Sequence, residues 1–240
     1  MKQTEINVAI TSDFDDRGFH NVLEWIMVIL FPFSTLAVYG YCFMNIPVWT
    51  YWFVVPLILL SLFISDILTG FVHWLADLYG SPTTPLVGPN FIEPFRWHHI
   101  EPTAMCKHNL AVTIGNSCLF AVPLQVLLII CMGHYSDSPL FNLSSLVLNT
   151  IFIATVLTNQ FHKWAHSSPD DRSTIAHYLQ KWNLILAPDH HQEHHTPPHT
   201  SSYCVTNGWA NPLLNKIGFW KKMQWVLSYL GINPDKSSHI

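Results

Sequence analysis

Charge is what this chain has least of. Asp, Glu, Lys and Arg make up 11% of 240 residues and half of all residues are hydrophobic, against about 25% charged in soluble domains. So thin a charged complement excludes an ordinary solvated surface. A formal net charge of −4 gives no basic footprint for nucleic acid. Cysteine is sparse as well: Cys42, Cys106, Cys118, Cys131 and Cys204 are scattered without a CxxC pair, which excludes a zinc ribbon and a disulfide framework. Cys42, Cys118 and Cys131 lie inside apolar runs and read as reduced packing residues. No Glu-x-x-His spacing occurs, so the carboxylate di-iron bundle built on that spacing is excluded. Repeats and low-complexity tracts are missing too. The stretch before Arg17 holds Glu5, Asp13, Asp15 and Asp16, unlike a signal peptide or an Arg-rich transit peptide. The expectation is a single membrane-embedded domain over residues 1–240.

In place of charge there are four long uncharged runs: Trp25–Ile46, Val48–Ser65, Leu110–Met132 and Leu143–Gln160. Each reaches the ~18–20 residues that a helix needs to cross ~30 Å of hydrocarbon. The predicted fold is an all-α, multi-pass integral membrane protein with four transmembrane helices. If all four cross, the N-terminal segment, residues 66–109 and the chain after 160 share one side, and all 11 Lys and Arg fall on it. The positive-inside rule makes that side cytoplasmic, both termini included. The membrane would be the endoplasmic reticulum in a eukaryote or the cytoplasmic membrane in a bacterium.

The second helix, drawn from Trp52 to Tyr79, would be ~42 Å long at 1.5 Å per residue and outrun the hydrocarbon. Asp66, His73 and Asp77 share one of its stripes. Asp66 then lies at the edge of the apolar layer, where an aspartate is either functional or reaches interfacial water. Trp74, Trp97, Trp164, Trp182 and Trp209 read as an interfacial aromatic belt. The string IGFWKKMQWVL reads as an amphipathic surface helix. Asn142-Leu143-Ser144 is a sequon close to the membrane on the far side, poorly placed for glycosylation.

Histidine is abundant, and it clusters on the predicted cytoplasmic face. Residues 189–199 read DHHQEHHTPPH, and His73, then His98, His99 and His108, then His162 and His166 join that face. His134, in an opposite loop, reads as solvated. A catalytic zinc takes three protein ligands, so this set is too large for one ion and suits two. His190, Glu193 and His194 spell the HxxEH of some metalloproteases. That motif needs a helix, however, and Pro197 and Pro198 follow at once. An all-histidine di-metal centre at the cytoplasmic end of a bundle remains. Imidazole suits iron that activates dioxygen, and lipid chains are what such a bundle can bring to it. His191, His194 and His195 have the HxxHH spacing expected of membrane lipid desaturases and hydroxylases.

The strings GFVHWLADLYGS, PFRWHHIEPTAMCKHN, TNQFHKWAH and HHQEHHTPPHTSSYCVTNGWANPLLNKIGFW, in order over roughly residues 66–222, resemble the Kua or CarF-type lipid desaturase family. The resemblance implies metal binding by His73, His98, His99, His108, His162, His166, His191, His194 and His195. It places Asp77 in a catalytic or imidazole-orienting role, with His190, His199 and Asn159 as partners or additional ligands. Asn109 departs from the family's usual aspartate. Two iron ions, dioxygen and two electrons, from cytochrome b5 or an equivalent donor, are implied. One branch of the family inserts the vinyl-ether double bond of plasmalogens into a plasmanylethanolamine. A plastid branch desaturates an acyl chain of phosphatidylglycerol and would carry a transit peptide. The expected activity is therefore ether-lipid desaturation, with acyl-lipid desaturation, hydroxylation and non-catalytic metal binding as alternatives.

Overall fold

The computed structural model describes residues 18–85, 87–135 and 137–235. Lys2, Arg17, Lys236 and both termini, used above to orient the chain, lie outside the described residues. In chain order the helices are α1 (Gly18–Asn45), α2 (Tyr51–Leu78), α3 (Glu93–Ile100), α4 (Leu110–Tyr135), α5 (Pro139–His166), α6 (Thr174–Lys181), α7 (Pro188–His194), α8 (Asn211–Lys216) and α9 (Phe219–Tyr229), with no strand among the described residues. Four of them, α1, α2, α4 and α5, are long and apolar enough to cross a membrane. Each apolar run supplies such a helix, since in hydrocarbon every backbone group must find its partner within the segment. Pro32, Pro56 and Pro123 lie inside α1, α2 and α4. The second and fourth runs extend as helix beyond their last apolar residues, so α2 carries His73 and Asp77, and α5 carries His162 and His166, near their C-terminal ends.

The described residues group into two compact units, those within 18–61 and 108–156 and those within 62–107 and 157–235. Both α2 and α5 contribute to each. In the first unit Phe31 of α1 packs with Ile114, Cys118, Ala121 and Val122 of α4, and Val38 and Cys42 pack with Met132 and Leu146. The buried Gln125 amide donates to Thr35 Oγ1 (2.9 Å) and Asn149 Oδ1 (2.8 Å) and accepts from Ser34 (2.6 Å). Asn142 is fully buried in α5, which removes it as a glycosylation acceptor. His134 is exposed, as expected.

The second unit is built around Trp74, Tyr79, Tyr203, Cys204, Ala210, Leu214 and Trp220. Trp74 is 1% exposed, so it belongs to this core rather than to an interfacial belt. Trp182, 73% exposed, keeps its surface position. In α9, Trp220 enters the core while Lys221, Lys222, Trp225 and Tyr229 stay exposed, the amphipathic division read from the sequence. Arg96 of α3 closes the C-terminal end of α2: its guanidinium donates to the carbonyls of Ala76, Tyr79 and Gly80 and pairs with Asp235 at 2.8 Å. Basic groups suit a helix C-terminus, where carbonyls have no partners within the helix. That clamp fixes α3, and with it His98 and His99, against the end of the helix that carries His73.

Candidate metal centre

Four separate stretches of the second unit bring their imidazoles to one place. His98, His162, His166, His191 and His195 form one group of converging donor atoms, and His73, His98, His99 and His194 form another. The groups share His98, so eight imidazoles are gathered. Their delivery is helical. His162 and His166 are one turn apart on α5, as are His191 and His195 at the end of α7, and His98 and His99 close α3.

The hydrogen-bond pattern shows which ring nitrogens are free. His73 Nδ1 donates to the Tyr203 carbonyl (3.1 Å), His194 Nδ1 to the Ser201 carbonyl (2.9 Å), and His98 Nδ1 to the Phe95 carbonyl. A carbonyl only accepts, so in these rings the hydrogen sits on Nδ1 and a neutral ring presents a bare Nε2. His73 Nε2 and His98 Nε2 are buried without a hydrogen-bond partner. Asp77 Oδ2, buried with them, lies 3.4 Å from His73 Nε2, 3.2 Å from His99 Nε2 and 3.3 Å from His194 Nε2. In the other group His162, His166 and His191 place their Nε2 atoms in a triangle with sides of 2.7, 2.8 and 3.2 Å, and His195 Nε2 is 3.0 Å from that of His191.

Beside Asp77 bare nitrogens face a carboxylate oxygen. In the triangle a ring nitrogen that donates has no lone pair to accept, so at least one of its three contacts sets like groups against each other. A cation between the donors relieves both. Protons are a poor solution. Burial, reinforced by neighbouring imidazoles, holds His98, His99, His191 and His195 below the ordinary histidine pKa, because the charged ring loses its hydration. Metal ions fit: nitrogen or oxygen donors about 2.1 Å from one tetrahedral centre lie roughly 3.4 Å apart, close to the spacing around Asp77. The two groups differ in charge. One consists of imidazoles alone; the other has the Asp77 carboxylate beside three of its four members.

The remaining residues singled out in the sequence are members of neither donor group. His108 belongs to the first unit and to neither donor group. His190, His199 and Asn159 are half-buried and likewise outside both groups. His190 packs where Gly208, at φ +76°, brings the backbone close. His199 donates from Nδ1 to the His194 carbonyl (2.9 Å), which makes it a support for α7. Asn109 caps α4, its Oδ1 accepting from Val112 N at 3.0 Å. The HxxEH stretch is helical after all, since α7 runs through His194 before the prolines. That motif is set aside on placement instead: His190 lies outside both groups, and Glu193 accepts from Ser202 Oγ (3.0 Å).

Of the two expectations for Asp66, the structure overturns the one that has it reaching water. It does not reach water, being fully buried, and it lies in neither donor group. Its carboxylate accepts four backbone amides at 3.0 Å each, Thr206, Asn207 and Gly208 on Oδ1 and Ala210 on Oδ2. The Ser201 and Tyr203 carbonyls were not legible as site components, because a backbone acceptor leaves no mark on residue type.

Comparison with known proteins agrees with this chemistry. A family model for the lipid desaturase domain matches residues 62–237. Plasmanylethanolamine desaturase of Myxococcus xanthus is 35% identical over 178 residues, 74% of this chain and 62% of that protein. Plasmanylethanolamine desaturase 1 of Mus musculus is 37% identical over 216 residues, 86% of this chain and 77% of the mouse protein. Chloroplastic fatty acid desaturase 4 of Arabidopsis thaliana is 26% identical over 172 residues, 71% of this chain and 51% of that protein. This chain thus spans less than two thirds of the bacterial and plant relatives' lengths. No solved structure matches it. The matched region takes in every imidazole of both donor groups, and the chain belongs to the lipid desaturase family, a family of oxidoreductases.

Proposed function

We propose that this protein introduces the vinyl-ether double bond of plasmalogens, taking a 1-O-alkyl-2-acyl glycerophosphoethanolamine, dioxygen, two electrons and two protons to the 1-O-alkenyl lipid and two waters. The observation that carries the proposal is the pair of buried donor groups sharing His98, one of them flanked by Asp77. His73, His99 and His194 with Asp77 would hold one ion; His162, His166, His191 and His195 would hold the other, and His98 reaches both. Bound iron would supply oxygen activation strong enough to take hydrogen from an unactivated carbon. The chain's own contribution is positional. Carbonyls 201 and 203 keep Nε2 of His194 and His73 turned inward, and burial keeps water away from the donors. The Asp77 carboxylate offsets part of the charge of one ion and sets the two positions apart.

The height of the site favours the ether-linked carbons. The midpoints of α2 and α5 fall between residues 64 and 65 and between residues 152 and 153. For helices centred in the bilayer, His73 and His162 then sit about 13–14 Å along their axes from the middle, and Asp77 and His166 about 19–20 Å. These depths straddle the ~15 Å half-thickness of the hydrocarbon, where a lipid's glycerol backbone and first chain carbons lie. The Myxococcus and mouse relatives point to the same substrate. The electron donor would be cytochrome b5 or an equivalent, and the site would face the cytoplasm. The test is to supply the chain, in membranes, with 1-O-alkyl phosphatidylethanolamine, oxygen and a reductant. Acid-labile vinyl ether that releases a fatty aldehyde supports the reading. An untouched ether lipid beside a newly unsaturated acyl chain replaces it with acyl-lipid desaturation.

A further inference from the structure

Residues 199–208 follow α7 as irregular backbone with no helix, and this strap supplies the two carbonyls that orient His73 and His194. A strap without secondary structure has no internal hydrogen-bond ladder, so something else must hold it in place. In the described structure its alternate residues are held by side chains. Ser202 N donates to Asn215 Oδ1 (3.1 Å), and Asn215 Nδ2 donates to Ser202 Oγ (2.9 Å). Asn211 reads both backbone groups of Cys204: Oδ1 accepts from its N–H and Nδ2 donates to its carbonyl, each at 2.9 Å. The amides of residues 206, 207, 208 and 210 then converge on Asp66 at 3.0 Å. Thr206 Oγ1 adds contacts to Thr69 (2.9 Å) and Thr158 (2.7 Å). Between these anchored residues, 201 and 203 turn their carbonyls to the two imidazoles.

Asp66 is the anchor with the most at stake. It lies two helical turns before His73 on α2, so it ties the strap to the helix that carries one of the rings the strap orients. The site has no spare donor to take over. His73 and His194 each have one ring hydrogen, and each places it on this strap. A strap shifted by an ångström would release the rings to turn, and their Nε2 atoms would no longer converge beside Asp77. The rings of the other donor group are not oriented by the strap directly. The hydrogen bonds described for the side chains of His162, His166, His191 and His195 do not run to it, and it reaches their helices only through Thr158, Glu193 and the His194 carbonyl.

We infer that Asp66 is a positioning residue for the donor group containing His73 and His194, acting through the backbone of residues 201–210. The inference rests on the reading that the two histidine groups hold metal ions. Asp66→Asn keeps the size of the side chain but turns an NH₂ towards amide donors that need an acceptor, so it should loosen the strap selectively.

The experiment uses the full chain in lipid nanodiscs, titrated with cobalt(II) and followed by visible absorption and metal content. The unsubstituted protein is expected to bind two ions. Asp66→Asn should keep one and weaken the other by about 10–100-fold, the scale for residues that orient ligands. Asn215→Ala, a milder break at a half-buried anchor, should weaken the same ion less. Combining Asp66→Asn with His194→Ala should add nothing to His194→Ala, whereas combining it with His191→Ala should leave only the weakened ion. Two tight ions in Asp66→Asn would overturn the inference alone. Equal loss of both would overturn it as well, since that marks a general role in folding. An unsubstituted chain that binds no cobalt(II) would overturn the metal reading and this inference with it.

Discussion

Asp77 is one turn beyond His73 on α2 and faces three imidazole nitrogens with a single oxygen. A buried carboxylate in that position can bind an ion or fix the rings around it, and both uses need its charge. Asp77→Asn is expected to lower ether-lipid desaturation by about 10–100-fold while the protein still inserts, checked by vinyl-ether yield against membrane-integrated protein. Wild-type turnover in that variant would leave Asp77 as a helix-end charge with no part in the site. His73→Ala, His166→Ala and His194→Ala should each abolish product, since each removes a donor that no neighbouring ring can replace. Residue type made most of this legible in the sequence. Histidine at i and i+4, as in His162 and His166, or within HxxHH is a visible pattern because donors must converge from one helical face. What the pattern could not show was membership. His108, His190 and His199 match motif positions as well as His98 does, and only the backbone path separates rings that converge from rings that support. The partners of Asp66 were hidden for the same reason: they are four amides, which every residue but proline possesses.

At the scale of elements, the site depends on how closely the strap can approach α2. Gly70 permits that approach: a Cβ there would lie 2.6 Å from Cys204 Sγ and 3.0 Å from both its Cα and its N. The sulfur could rotate away, but the backbone atoms could not without moving the strap. Gly70→Ala is therefore expected to displace Cys204 and, with it, the neighbouring Tyr203 carbonyl that holds His73. Its phenotype should be that of a lost His73 donor, with reduced metal content and little product. Cys204→Ala, which removes only the sulfur, should restore neither in the Gly70→Ala background. Recovery by that second change would show that the clash is with the side chain alone. The long helices were readable from apolar run length, and drawing the second one on to Tyr79 put Asp66, His73 and Asp77 on one stripe. The strap was not readable. Its order comes from Asn211 and Asn215, whose amides look from the sequence like ordinary polar residues of a short helix.

For the whole molecule, orientation decides which compartment the donor groups face. The four long helices are joined pairwise by residues 46–50 and 136–138, and neither connection contains Lys or Arg. The other segments, residues 1–17, 79–109 and 167–240, hold ten of the 11 basic residues, with Lys163 in the last turn of α5 as the other. A membrane inserted with the two short connections cytoplasmic would have to carry every basic segment across, against the bias that sets topology. The opposite arrangement leaves only uncharged turns and Asp137 to cross, and it puts the C-terminal ends of α2 and α5, with all eight gathered imidazoles, on the cytoplasmic side. Both termini are accordingly expected in the cytoplasm. Epitope tags at residues 1 and 240 should be cleaved when protease is added to the cytoplasmic face of sealed vesicles, while a tag inserted in 136–138 should survive until detergent is added. One protected terminus would mean that an odd number of the four helices cross, and two would mean the inverted arrangement with the donor groups away from the cytoplasm.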